Sequence, residues 1–313
     1  MKSMRVSETF RKAFAYSVAV HIKDGVWRRI KNSLRWAFLA SFRTDFSTEL
    51  FAWAEQPEIQ AFVKVNPIVA LRPLRPYVSI GWDRDRRFKV ISDTYGFILL
   101  HSGAMRQALL SPEGTILARL ELARLGRIEI RLGKDIAFRK EGELVLSVQS
   151  QDLDGWRMSM AFSLEATANS QWICYIGCVQ GRGGIDAMRE TTRAMHGLRP
   201  RSLMVFVAQE VARALGVKEI LGVSNEIQTF HRKHLIHLPF RHTISFDYDV
   251  FWLECGAVLD AEGWFHLPVQ TARRTREEIK PNKRSLYVKR YAMLDDLSTQ
   301  IGAGLQYIPI HRL

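Results

Sequence analysis

The spacing of apolar residues divides the chain into stretches of different period. Over residues 8–43, Phe10, Phe14, Val18, Trp27, Ile30, Leu34 and Phe38 recur at helical spacing among Lys and Arg, which predicts one or two basic amphipathic helices. A surface helix packed on the domain and an interfacial membrane helix both use such a stripe. A third helix is expected over residues 48–63, and Asn66-Pro67 with Arg72-Pro-Leu-Arg-Pro76 reads as a linker. From residue 77 to 164 the period becomes two. Arg127-Ile-Glu-Ile-Arg-Leu132, Glu143-Leu-Val-Leu-Ser-Val-Gln149 and Arg157-Met-Ser-Met-Ala-Phe-Ser-Leu164 alternate, with turns at Lys140-Glu-Gly142 and Asp152-Leu-Asp-Gly155, so antiparallel hairpins are predicted.

The clearest stretch follows. Gln171-Trp-Ile-Cys-Tyr-Ile-Gly-Cys-Val179 suits a buried strand that stops at Gln180-Gly-Arg-Gly-Gly184, and Ile185, Met188, Thr192 and Met195 then fall at helical spacing. His196-Gly-Leu-Arg-Pro200 ends that helix and starts a second over residues 201–215, apolar almost all round and therefore buried. Gly216 supplies its stop. Residues 218–225 form a strand reached through this helical crossover, which implies a parallel pair with polar groups at its carboxyl end. A final hairpin of residues 245–254 with 258–267, turning at Asp260-Ala-Glu-Gly263, and a helix over residues 282–301 complete the chain. The class is α+β, with a mixed, mostly antiparallel central sheet and a helical crossover. Residues 1–76 are read as a basic helical region and linker, and residues 77–313 as the α+β domain.

Charge adds a partner to this picture. The chain has 45 basic and 32 acidic side chains, a net of +13, of which +8 lies in residues 1–43 and +5 in residues 270–313. Such a balance points to an anionic partner: membrane lipid, a phosphate-bearing ligand or nucleic acid. Nucleic acid ranks last, because no recognition motif accompanies the charge. The three cysteines form no Cys-x-x-Cys pair, and an odd, sparse set suits a reducing compartment. Cys174 and Cys178, four apart on a predicted strand, are expected on one face. No apolar run approaches the roughly 18 residues of a spanning helix. No small-residue cleavage site follows residues 13–22, so the expected location is cytoplasmic or at the inner face of a membrane.

Candidate chemistry is sparse. The Gly-rich turn and the helix after it suit a phosphate, with Arg182, Arg189 and Arg193 on one stripe, although pairing with Asp186 and Glu190 would instead leave a solvated face. His231, His234, His237 and His242 do not converge if helical, so no metal site is expected. Asp247 and Asp249 would share one strand face, where paired carboxylates serve acid/base work or simply meet solvent. No Ser/His/Asp arrangement, Gly-Lys-Ser phosphate loop or dinucleotide fingerprint is present.

His196-Gly-Leu-Arg-Pro200, Leu221-Gly-Val-Ser-Asn225, Phe246-Asp-Tyr-Asp-Val-Phe-Trp-Leu-Glu254, Leu267-Pro268 and Lys283-Arg-Ser-Leu-Tyr-Val-Lys-Arg-Tyr-Ala-Met-Leu-Asp295 together resemble the VirK/YbjX family of bacterial proteins. That resemblance implies an accessory factor in envelope remodelling, virulence and resistance to antimicrobial peptides in Gram-negative bacteria, and it supplies no catalytic residue. The order of elements also resembles the acyl-CoA-dependent N-acetyltransferase (GNAT) fold, in which the turn before the buried helix holds the cofactor pyrophosphate. The resemblance would make acyl-CoA the cofactor and an amine the acceptor. Arg182, Gly197, Arg199, Arg201 and Ser202 would then lie near the phosphates, and Asn225, Asp247 or Glu254 near the chemistry.

Overall fold

The computed structural model describes residues 4–101, 103–122, 126–150, 152, 156–229 and 246–305. The four histidines of residues 231–242 lie outside them, as does most of the turn expected at 152–155. Helices α1 (Val6–Val20) and α2 (Val26–Ser41) pair through small residues, Thr9, Ala13 and Ser17 on one side and Ser33, Ala37 and Ala40 on the other, all fully buried. The single helix expected over 48–63 is two, α3 (Thr44–Ala54) and α4 (Pro57–Val65). Pro57 brings no amide hydrogen and has its φ preset for a first turn, so it starts a new helix.

The segment read as a linker is buried. It forms two 3-10 turns, Pro67–Ala70 and Arg72–Leu74. Arg72 is 6 % exposed and pairs with the carboxylate of Glu143, to which the Tyr95 hydroxyl also donates at 2.8 Å. The strand period assigned from residue 77 gives way to α5 (Arg84–His101) and α6 (Gly103–Leu110). Val90, Ile91, Tyr95, Phe97 and Ile98 are all buried, so α5 is covered on several sides and shows no single apolar stripe.

Among the described residues eight strands follow: β1 (Thr115–Leu122), β2 (Gly126–Gly133), β3 (Leu144–Ser150), β4 (Arg157–Ala166), β5 (Trp172–Arg182), β6 (Glu219–Val223), β7 (Val258–Leu259) and β8 (Trp264–Leu267). They form one sheet in the order β1-β2-β3-β4-β5-β6-β8-β7, antiparallel throughout except for β5 and β6. The crossover between those two contains α7 (Ile185–Ala194) and α8 (Pro200–Ala214). Ala208, Val211 and Ala212 of α8 pack against Met160, Phe162 and Ile176 on one sheet face. Past the Leu144 end of β3, where Leu164 has no strand partner on that side, Thr94 of α5 bonds both its amide and its carbonyl, at 2.9 Å each. Helix α10 (Arg284–Gly304) runs along β1, where Gln300 accepts from the Arg119 amide at 2.8 Å and donates to its carbonyl at 3.0 Å, satisfying part of an open sheet edge.

Two local expectations are corrected here. Gly177 is an unpaired bulge between the Ala161–Cys178 and Phe162–Ile176 partners, so Cys178 faces away from Cys174. Residues 248–254 are helix α9 (Tyr248–Glu254), not a strand, and only β7 and β8 form the closing hairpin. Asp247 is the N-cap of α9, its carboxylate accepting from the Val250 amide at 3.1 Å, so Asp247 and Asp249 do not share a strand face. With these changes the fold is the expected α+β arrangement: meander, crossover helix, parallel strand, helix and closing hairpin.

Candidate functional site

The start of α8 opens onto a groove of about 1260 Å³. Its walls come from α7, from the turn before α8, from the last residues of α9, and from the segment that leads into α10. The turn is possible because His196 (φ 52°) and Gly197 (φ 73°) both take left-handed backbone, with the Gly197 amide donating to Thr192 at 2.8 Å. Arg290 fixes the turn from outside: its guanidinium donates twice to the His196 carbonyl, at 3.0 and 2.7 Å, and stacks on the Tyr287 ring at 4.2 Å.

The groove is strongly cationic. Helix α7 contributes Arg189 and Arg193, the α8 turn Arg199 and Arg201, and the C-terminal wall Arg274, Lys283 and Arg290, while among the described residues the lining includes one carboxylate, Glu254. Arg199 lies 3.8 Å from Glu254, with both side chains well exposed, so this pair holds little energy and leaves the guanidinium available. Arg201 stacks on Phe246 at 4.7 Å. Pro200 at the first helical position has no amide hydrogen, and helix geometry leaves the Arg201 and Ser202 amides without an acceptor inside the helix. Their partial positive charge adds to the side chains. Ile185, Met188, Leu198, Phe251 and Leu286 give the same groove an apolar lining.

Gly197, Arg199, Arg201, Ser202 and Glu254 are therefore brought together. Arg182 is not in the lining; it ends β5 opposite Arg157, although Gly183 beside it does line the groove. Asn225 and Asp247 form a separate cluster. The Asn225 side chain donates to Asp247 at 2.8 Å and accepts from the Tyr248 amide at 2.9 Å, and its own amide donates to Asp249 at 2.8 Å. These bonds join the end of β6 to the start of α9. Arg274, Lys283, Tyr287 and Arg290 did not emerge from the sequence as site residues; their signals were the +5 charge of residues 270–313 and, for the last three, the Lys283–Asp295 motif.

Acyl-CoA does not fit the gap beside this groove. Beyond the Ile176–Gly222 pair β5 and β6 part, but α9 fills the space: buried Tyr248 accepts from the Val179 amide at 3.4 Å, and buried Trp252 donates to the Val223 carbonyl at 2.8 Å. A Cβ on Gly222 would stand 2.5 Å from the Trp252 ring, so the wedge is tight. Behind it Glu141 is almost fully buried beside Cys178 and Gln228, and burial pushes its carboxyl up to about 7. Among the described residues no group of three or more His, Cys, Asp or Glu side chains is placed to hold a metal ion, and no helix is long and apolar enough to cross a membrane.

Comparison with known proteins places this chain in a family. The family described as "Protein of unknown function (DUF535)" matches residues 25–303. The chain is 27 % identical over 277 residues to the "Uncharacterized protein YbjX" of Escherichia coli (strain K12), covering 87 % of this chain and 82 % of that one. Two proteins of Haemophilus influenzae, each described as "Uncharacterized protein", are 35 % and 33 % identical over 129 residues, covering 40 % of this chain and 41 % and 42 % of theirs. No solved structure matches the chain. With the match spanning almost its whole length, the chain belongs to the DUF535 family, the VirK/YbjX family that its motifs resemble.

Proposed function

We propose that the groove at the start of α8 binds a phosphate-bearing anionic ligand, and that through it the chain serves as an accessory factor in bacterial envelope remodelling. Virulence and resistance to antimicrobial peptides are the setting that the family resemblance implies. The observation that carries the reading is seven cationic side chains around one carboxylate at a helix start, since oriented amides and arginine forks both favour phosphate. The apolar lining favours an amphiphile over a bare anion. The acyltransferase reading has the order of elements in its favour and the filled gap between β5 and β6 against it.

The test is thermal melting with three probes: inorganic pyrophosphate, a short-chain phosphatidic acid and acetyl-CoA. A probe at a hundred times its Kd stabilises by about 2.7 kcal/mol, roughly 4 °C for a chain of this length. Arg199→Ala should remove most of that shift and leave the ligand-free melt unchanged, because the Arg199 side chain is 75 % exposed. A response to phosphatidic acid supports the reading, and a response to acetyl-CoA alone favours the acyltransferase. No shift with any probe, or unfolding of Arg199→Ala without ligand, overturns the site.

A further inference from the structure

We propose that the outer face of α2 is a docking surface for an anionic phospholipid bilayer. The helix buries Ser33, Trp36, Ala37 and Ala40 against α1 and α3, and this packing leaves a second apolar row uncovered. Trp27, Ile30, Leu34 and Phe38 fall three or four residues apart on the outside, and Phe42 prolongs the row past the helix end. Trp27 is 85 % exposed, Phe42 76 % and Phe38 58 %, so the largest side chains of the row are the least covered. From Trp27 to Phe42 the row is about 22 Å long. Phe38 meets Phe10 of α1 edge-to-face at 5.5 Å, which carries the patch onto the neighbouring helix. A contiguous apolar row of this size on a surface marks a place where something docks.

The charges beside the row select the partner. Arg28, Lys31 and Arg35 are three or four apart and form a parallel exposed row turned by roughly a quarter of the helix circumference. Helix α2 contains four basic residues and no acidic one. Two acids near the ends of α2 are engaged: Asp24, just before it, pairs with His21 at 2.9 Å and lies 3.9 Å from Arg28, and Asp85 pairs with Arg43, just after it, at 3.1 Å. An apolar row with a terminal tryptophan beside a cation row matches the boundary between acyl chains and phosphates, with the helix lying in the plane of the surface. A protein groove would supply apolar contacts but offers no general reason for an unbroken cation row beside them. Docking needs no unfolding, because the buried side of α2 stays packed on α1 and α3. The surface shares no residue with the α8 groove and does not rest on the ligand proposed there.

The experiment is sedimentation of the full chain with vesicles of phosphatidylcholine alone or of phosphatidylcholine with phosphatidylglycerol. Wild type should sediment with the anionic vesicles and be released by salt. Arg28→Gln/Lys31→Gln/Arg35→Gln should weaken binding about a hundredfold, from the usual contribution of each basic residue near such a surface. Trp27→Ser/Phe42→Ser should abolish binding while keeping the wild-type melt, since both side chains project outward. Because the groove is proposed to take an anionic amphiphile itself, the two sites are told apart by Trp27→Ser/Phe42→Ser, which should lose the vesicles and keep the wild-type melting shift with short-chain phosphatidic acid, since neither residue lines the groove. The inference is overturned if wild type ignores anionic vesicles or if Trp27→Ser/Phe42→Ser binds them as well as wild type. A concentration-dependent dimer that disappears in Trp27→Ser/Phe42→Ser would overturn it in favour of a second copy of the chain.

Discussion

Replacing Glu141 by glutamine should stabilise the protein strongly at pH 8 and only slightly at pH 5. The side chain is 1 % exposed, between the 3-10 turn Ile136–Phe138 and β3, with Gln228 Nε2 3.3 Å from its carboxylate. Burial raises its pKa from 4.5 to about 7, and Cys178, Lys140 and Arg139 offset only part of that effect. A carboxyl whose folded pKa is raised favours folding fully below its unfolded pKa, and that advantage is lost as pH rises through the folded value. Linkage makes the loss about 3 kcal/mol at pH 8 and about 1 kcal/mol at pH 5. Glutamine keeps the shape and carries no charge, so the variant should gain most of that difference, roughly 4 °C in Tm at pH 8. Urea unfolding of both proteins at the two pH values measures it, and the comparison cancels every other titrating group. An equal effect of the substitution at pH 5 and pH 8 would refute the argument, because it would mean that Glu141 titrates alike in the folded and unfolded chain.

Two further substitutions probe the frame around that residue. Gly177→Ala would put a Cβ 2.1 Å from the Glu141 carbonyl oxygen, so the bulge and the loop above it must separate, at a cost of about 3 kcal/mol seen as a lower urea midpoint. Asp247→Ala removes both the α9 cap and the acceptor of the Asn225 side chain, and should cost about 1 to 2 kcal/mol in the same assay; unchanged stability would show that α9 is held by Tyr248 and Trp252 alone.

The sheet was legible because its strands alternate in the sequence and its parallel pair is separated by two recognisable helices. Helix α5 was not, since Phe88, Val90, Ile91, Tyr95, Phe97 and Ile98 serve several buried sides at once and their spacing resembles no single period. Helix α9 misled in the opposite way. Phe246-Asp-Tyr-Asp-Val alternates like a strand, whereas an aspartate followed by a second acid in the first turn is also how a helix begins. The arginines nearest the His196 turn were visible as candidates because they are neighbours in the chain. Arg290 was not, because it reaches the His196 carbonyl across 94 residues of sequence, and no local pattern records a contact of that span.

The pairing of Arg72 with Glu143 also decides how the chain tolerates being cut. The arginine belongs to the turns that follow the first four helices, and the carboxylate to the residue just before β3 of the central sheet. A fragment that begins after residue 76 keeps the acid in the interior and discards its counter-ion, a loss of about 3 to 5 kcal/mol that a marginally stable domain can rarely absorb. The first helices are thus joined to the sheet by a buried electrostatic lock as well as by sequence, and a protease nick between residues 44 and 72 that released them would leave the remainder prone to unfold.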